Sequence, residues 1–128
     1  MVHDDARLVL VVECDASVRR PLVKFLELRG FQTVTAETAE EGLEALRNHQ
    51  LVAAIVGLRL REGSGREVVG AAPPDVPVII FTGVPSESEE LELVRPRTRL
   101  IERPYSLVLL IETLEDMVND QSSQDLHP

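Results

Sequence analysis

LVLVVECDAS, Leu8 to Ser17, is five apolar residues followed at once by charge and turn formers. An unbroken apolar run of this length marks a strand buried on both faces, as in a parallel sheet. From Ser17 to Arg29 the spacing changes to that of a helix, with Val18, Leu22, Phe25 and Leu26 on one side and Gly30 placed just past the end. Pro21 is compatible with that helix only near its first turn.

The unit then repeats. FQTVTA (Phe31–Ala36) predicts a short strand, and Thr38 with Glu41 forms a capping box for a helix carrying Leu43, Leu46 and Arg47. LVAAIVGL (Leu51–Leu58) is a third strand, followed by a short helix over Glu67–Ala71 that Pro73 and Pro74 stop. VPVIIFTG (Val76–Gly83) is a fourth strand. Ser86–Val94 predicts two turns of acidic helix ending before Pro96, and RLIERPY gives a fifth strand ending at Arg103 and Pro104. Ser106 caps a final helix, Leu107–Val118, whose Leu107, Leu110, Ile111, Leu114 and Val118 form an apolar stripe. Residues 1–118 are therefore expected to form one domain and 119–128, all polar save Leu126 and Pro128, a disordered tail.

Strands alternating with helices imply an α/β fold, a doubly wound parallel sheet with helices on both faces. Sites in such sheets lie beyond the carboxyl ends of the strands. Those ends deliver Glu13, Cys14 and Asp15 from the first strand, Gly57 from the third, Thr82 and Gly83 from the fourth, and Arg103 and Pro104 from the fifth.

Composition narrows the function. The 128 residues carry 22 acidic and 13 basic side chains, a net charge of -9, which disfavours nonspecific binding to nucleic acid or anionic membrane. Cys14 is the single cysteine, so no internal disulfide forms. No apolar run reaches the length of a membrane span and MVHDDAR lacks the start of a signal peptide, so the expected location is cytoplasmic.

VLVVECDASVRR, TAETAEEGLEAL, GLRLREGSG, VPVIIFTG and IERPYSLVLLIETL, in this order and approximate spacing, resemble the receiver domain of bacterial response regulators, the CheY-like family. The resemblance covers nearly the whole chain; the helix after the third strand and the segment from Thr82 to Arg103 are slightly short for it. It implies a five-stranded flavodoxin-like (βα)5 sheet in the order 2-1-3-4-5, and a role in two-component phosphorelay signalling. It also implies a phosphorylation pocket with an acidic pair after the first strand and an acceptor aspartate after the third. A hydroxyl after the fourth strand and a lysine before a proline after the fifth complete that pocket. Here those positions hold Glu13 and Cys14, Gly57, Thr82, and Arg103 before Pro104, with Asp15 beside them.

Glycine has no nucleophile, and the two carboxylates expected to touch Mg²⁺ directly are missing at positions 14 and 57. Arginine keeps the charge of the lysine but presents a planar fork better suited to a carboxylate than to a point contact with phosphate. The resemblance thus points to a degenerate pseudo-receiver, not an enzyme, without metal or cofactor, acting as a phosphorylation-independent protein-interaction module.

Two alternatives carry different chemistry: a conventional relay receiver using another acceptor such as Glu62, and a thiol switch at Cys14. Acidic neighbours of Cys14 at the end of a buried strand argue for an inert thiol. The face made by the predicted fourth helix, the fifth strand and the last helix is where receivers meet partners or dimerise. Tyr105, Val108 and Leu109 on it are the expected contact residues, although the switch aromatic of receivers is Leu100 here.

Overall fold

The computed structural model describes residues 7–82, 97–102 and 106–126. Five parallel strands form one sheet in the order β2-β1-β3-β4-β5: β1 (Leu8–Val12), β2 (Gln32–Ala36), β3 (Ala53–Gly57), β4 (Val78–Thr82) and β5 (Thr98–Glu102). All residues of β1 and β3 are buried, the consequence of helices covering both faces of central parallel strands.

Helix α1 (Ala16–Leu28) and the C-terminal helix (Leu107–Leu126) cover one face, where Leu22, Leu26, Leu110, Ile111, Leu114 and Met117 pack on Val9, Val11, Ile55, Ile79 and Phe81. Helices α2 (Ala39–Asn48) and α3 (Gly65–Ala71) cover the other, over Leu10, Val12, Ala54, Val56, Val78 and Ile80. This is the α/β architecture and strand order expected from the sequence.

Local signals explain most element ends. Asp15 caps α1, and Gly30 at φ +91° lets the chain leave it while Gly30 N–H and Phe31 N–H bond back to the Glu27 and Leu26 carbonyls at 3.0 and 3.1 Å. The Thr38 hydroxyl accepts from Glu41 N–H at 3.1 Å, and the Glu41 carboxylate accepts from Glu37 N–H at 2.8 Å, closing the predicted capping box one residue early.

Three expectations need correction. Helix α3 starts at Gly65, not Glu67, because Ser64 and Glu67 make a complete capping box. Pro21 lies inside α1, beyond its first turn. The C-terminal helix runs on to Leu126 through residues assigned to a disordered tail, since neither Gly nor Pro occurs before Pro128 to stop it. The predicted helix Ser86–Val94 lies outside the described residues.

Candidate functional site

The register sets the site. Val12 pairs with Val56 and Gly57 with Phe81, so the residue that follows β1, Glu13, stands level with the last residue of β3. Glu13 is only 2% exposed, and its N–H bonds the Ala36 carbonyl at 2.9 Å, prolonging the β1–β2 ladder by one step.

Its carboxylate turns towards β3. A Cβ placed on Gly57 would lie 2.8 Å from Glu13 Oε1 and 3.4 Å from Phe81 Cζ. No aliphatic carbon tolerates the first of these distances, so Gly57 and the present position of the Glu13 side chain go together. The other carboxylate oxygen, Oε2, accepts from Asp15 N–H at 2.8 Å and holds the turn that leads into α1.

The neighbouring groups are also committed to structure. The Asp15 carboxylate accepts from Ser17 N–H at 2.9 Å and from the Ser17 hydroxyl at 2.7 Å, the bonding of an N-cap. The part-buried Cys14 thiol donates to the Arg59 carbonyl at 3.6 Å, tying β1 to the loop after β3.

That loop is pinned at several points. Ala39 N–H donates to the Glu62 carbonyl at 3.0 Å, Gly65 N–H donates to the Leu58 carbonyl at 2.9 Å, and Gly63 at φ +78° faces Ala39 with no room for a side chain. Gly65 rests against the Gly57 carbonyl and Leu58 Cα, a contact only glycine allows.

Arg19, Glu37 and Arg61 complete the rim, and sequence reasoning passed over all three. Arg19 donates to the Glu13 carbonyl at 2.8 Å and approaches Glu37 at 3.7 Å; Arg61 reaches the other oxygen of Glu37 at 3.5 Å. Glu37 thus joins α1 to the loop after β3. Arg61 is two-thirds exposed, so its half of the link contributes a few tenths of a kcal/mol, about the value of a surface ion pair. No local signal marks these residues, because their meeting depends on α1, the end of β2 and the loop after β3.

Thr82 ends β4 opposite Glu102. Arg103, Pro104 and Tyr105 lie outside the described residues, as does Gly83. Val108 and Leu109 are 47% and 52% exposed at the start of the C-terminal helix, away from its buried stripe.

No family model matches the sequence. Among curated proteins, the chain is 36% identical over 80 residues to the photosynthetic apparatus regulatory protein RegA of Rhodobacter capsulatus, covering 60% of this chain and 44% of that protein. It is 33% identical over 78 residues to the acid tolerance regulatory protein ActR of Rhizobium meliloti strain 1021, covering 59% and 40% respectively. The chain thus spans less than half the length of these relatives.

Among solved structures, the CheY-like response regulator receiver domain protein from Methanospirillum hungatei JF-1 superposes with a TM-score of 0.86 at 24% identity, covering 92% of this chain and 98% of that one. The response regulator receiver protein from Sinorhizobium medicae WSM419 gives 0.79 at 16% identity, over 89% and 95%. The chain has the fold of the CheY-like response-regulator receiver domains and is related in sequence, over three fifths of its length, to bacterial regulatory proteins.

Proposed function

We propose that the chain is a pseudo-receiver of two-component signalling, an interaction module that works without being phosphorylated and is not an enzyme. One observation carries this reading: β3 ends on Gly57, and the space beside it is taken by the Glu13 carboxylate. A phosphoacceptor there needs a nucleophile that Gly57 does not have.

The donor set does not suit Mg²⁺ either. Magnesium takes near-octahedral oxygen ligands, whereas this edge offers one buried carboxylate engaged with Asp15 N–H, a thiol facing a carbonyl, and an aspartate used as a helix cap. Cys14, part-buried and hydrogen-bonded, is read as a structural thiol.

The test is incubation with acetyl phosphate followed by intact-mass measurement. No phosphoryl adduct is expected on the protein, nor on Gly57→Asp, whose new carboxylate still lacks the second carboxylate ligand that Cys14 does not supply. A stoichiometric adduct on the natural chain, mapped to Glu62 or elsewhere, would restore the relay reading.

The output surface proposed for this module is the exposed apolar pair Val108 and Leu109, with Tyr105, acting towards a signalling protein or a second copy in the cytoplasm. The net charge of -9 supports a protein partner over nucleic acid or membrane, and no helix among the described residues is long and apolar enough to cross a bilayer. Val108→Asp together with Leu109→Asp should abolish partner capture or dimerisation while leaving the melting temperature nearly unchanged.

A further inference from the structure

Among the described residues, strand β2 lies at one edge of the sheet, paired on one side only with β1. The Ala36 carbonyl accepts from Glu13 N–H, so the main-chain groups of Ala36, and by alternation those of Val34 and Gln32, point towards β1. Those of Thr33 and Thr35 point out of the sheet, two N–H and two C=O groups at the spacing an added strand requires.

The edge is flanked by two hollows of opposite charge. On the α1 side, about 310 Å³ is lined by Arg19, Arg20, Val23, Lys24, Glu27 and Thr35. On the α2 side, about 360 Å³ is lined by residues that include Val34, Thr35, Glu37, Glu41, Glu44 and His49. Thr35 belongs to both, so one extended chain laid along β2 would sit over both at once.

We infer that the β2 edge is a docking site for an extended segment of a partner protein in which acidic and basic residues alternate. Side chains on an added strand alternate between the faces of the sheet. Residues level with Thr33 and Thr35 fall on the α1 side, where Arg20 and Lys24 favour carboxylates; residues level with Val34 and Ala36 fall on the α2 side, where Glu41 and Glu44 favour ammonium or guanidinium groups. Main-chain bonds supply affinity and the alternating charge supplies register, the division of labour of strand addition.

A second copy fits the edge poorly. Antiparallel pairing of two β2 strands about a two-fold axis normal to the sheet sets α1 beside α1 and α2 beside α2, so that like charge meets like in both hollows.

The test is a titration of the ¹⁵N-labelled full chain, followed by amide NMR, with a blocked octapeptide of alternating glutamate and lysine. Its isomer with four glutamates followed by four lysines is the control. The alternating peptide should move the Thr33 and Thr35 amides saturably and bind about tenfold more tightly than the block isomer. Thr35→Pro, which removes an outward N–H and no ladder bond within the sheet, should abolish the effect. Should that variant fail to fold, Glu44→Lys and Arg20→Glu, both exposed, serve instead and should each weaken binding severalfold.

Equal binding of the two peptides, unmoved Thr33 and Thr35 amides at saturation, or no saturable shift would overturn the proposal. Concentration-dependent self-association that Thr35→Pro removes would overturn it in favour of a second copy as the occupant.

Discussion

Along β1 and β3 the side chains from Val9 to Val12 and from Ala53 to Val56 are buried in the two apolar clusters that lie on the faces of the sheet. One step further, at Glu13 and Gly57, packing gives way to hydrogen bonds: the Glu13 carboxylate to Asp15 N–H, the Asp15 carboxylate to Ser17, the Cys14 thiol to the Arg59 carbonyl. The middle of the sheet draws stability from buried area, which tolerates exchange among apolar residues of similar volume. Its carboxyl edge depends on single atoms at fixed places, and there Glu13 and Asp15 hold the turn into α1 while Cys14 ties it to the loop after β3.

The comparison predicts unequal costs. Leu114, fully buried against the sheet, should cost about 2–5 kcal/mol on replacement by alanine, as large-to-small changes in close-packed cores do. Urea denaturation measures it, and a cost below that range would mean the interior is looser than its burial implies.

Gly65→Ala comes next. Its Cβ would press on the Gly57 carbonyl and Leu58 Cα, which are backbone and cannot turn aside, so a cost of about 3 kcal/mol is expected, at the top of the overpacking range. Gly57→Ala should cost less, about 1–2 kcal/mol, because the atom it meets first is the end of the Glu13 side chain. In a Glu13→Ala background the same change should cost about 1 kcal/mol less, a coupling that a double-mutant cycle reads directly. Strict additivity would show that Glu13 does not hold its place beside Gly57.

This ordering also explains what was legible from sequence. LVLVV and AAIVG announce themselves because a strand buried on both faces can be nothing but apolar. The turn at Gly30 was legible for a similar reason, a local demand met by one residue type. The sequence pattern puts the start of α3 two residues late because its capping box works only once Gly63 takes its left-handed turn and Gly65 closes on the end of β3. Gly57 was legible as a strand end without a side chain, but not as the partner of Glu13, because that meeting follows from the register of β1 against β3. The bridge from Arg19 through Glu37 to Arg61 was hidden on the same ground.

Asp15 offers a smaller test. In a working metal site, removing a carboxylate would relieve repulsion and raise stability. Here the carboxylate caps α1, so Asp15→Ala should lower stability by about 1 kcal/mol, and Asp15→Asn or Asp15→Ser should restore most of it. A variant more stable than the natural chain would place Asp15 among competing charges and not at a cap.

The smallest expected effect is the most informative about the carboxyl edge. A ligand that binds only the folded state raises stability by RT ln(1 + [L]/Kd), so a magnesium site in about 100-fold excess ligand over Kd would add roughly 2.7 kcal/mol, a shift of several degrees in a domain of this size. With Glu13 turned to Gly57 and bonded to Asp15 N–H, and Cys14 turned to Arg59, no set of oxygen ligands converges among the described residues. Magnesium chloride should therefore move the melting temperature no more than sodium chloride at matched ionic strength. The monovalent control is essential, since a chain of net charge -9 gains from screening alone. A magnesium-specific rise that vanishes in Glu13→Gln would mean that the buried carboxylate leaves Gly57 to bind metal, and the contrast between an exchangeable interior and a fixed edge would fail at the residue on which it chiefly rests.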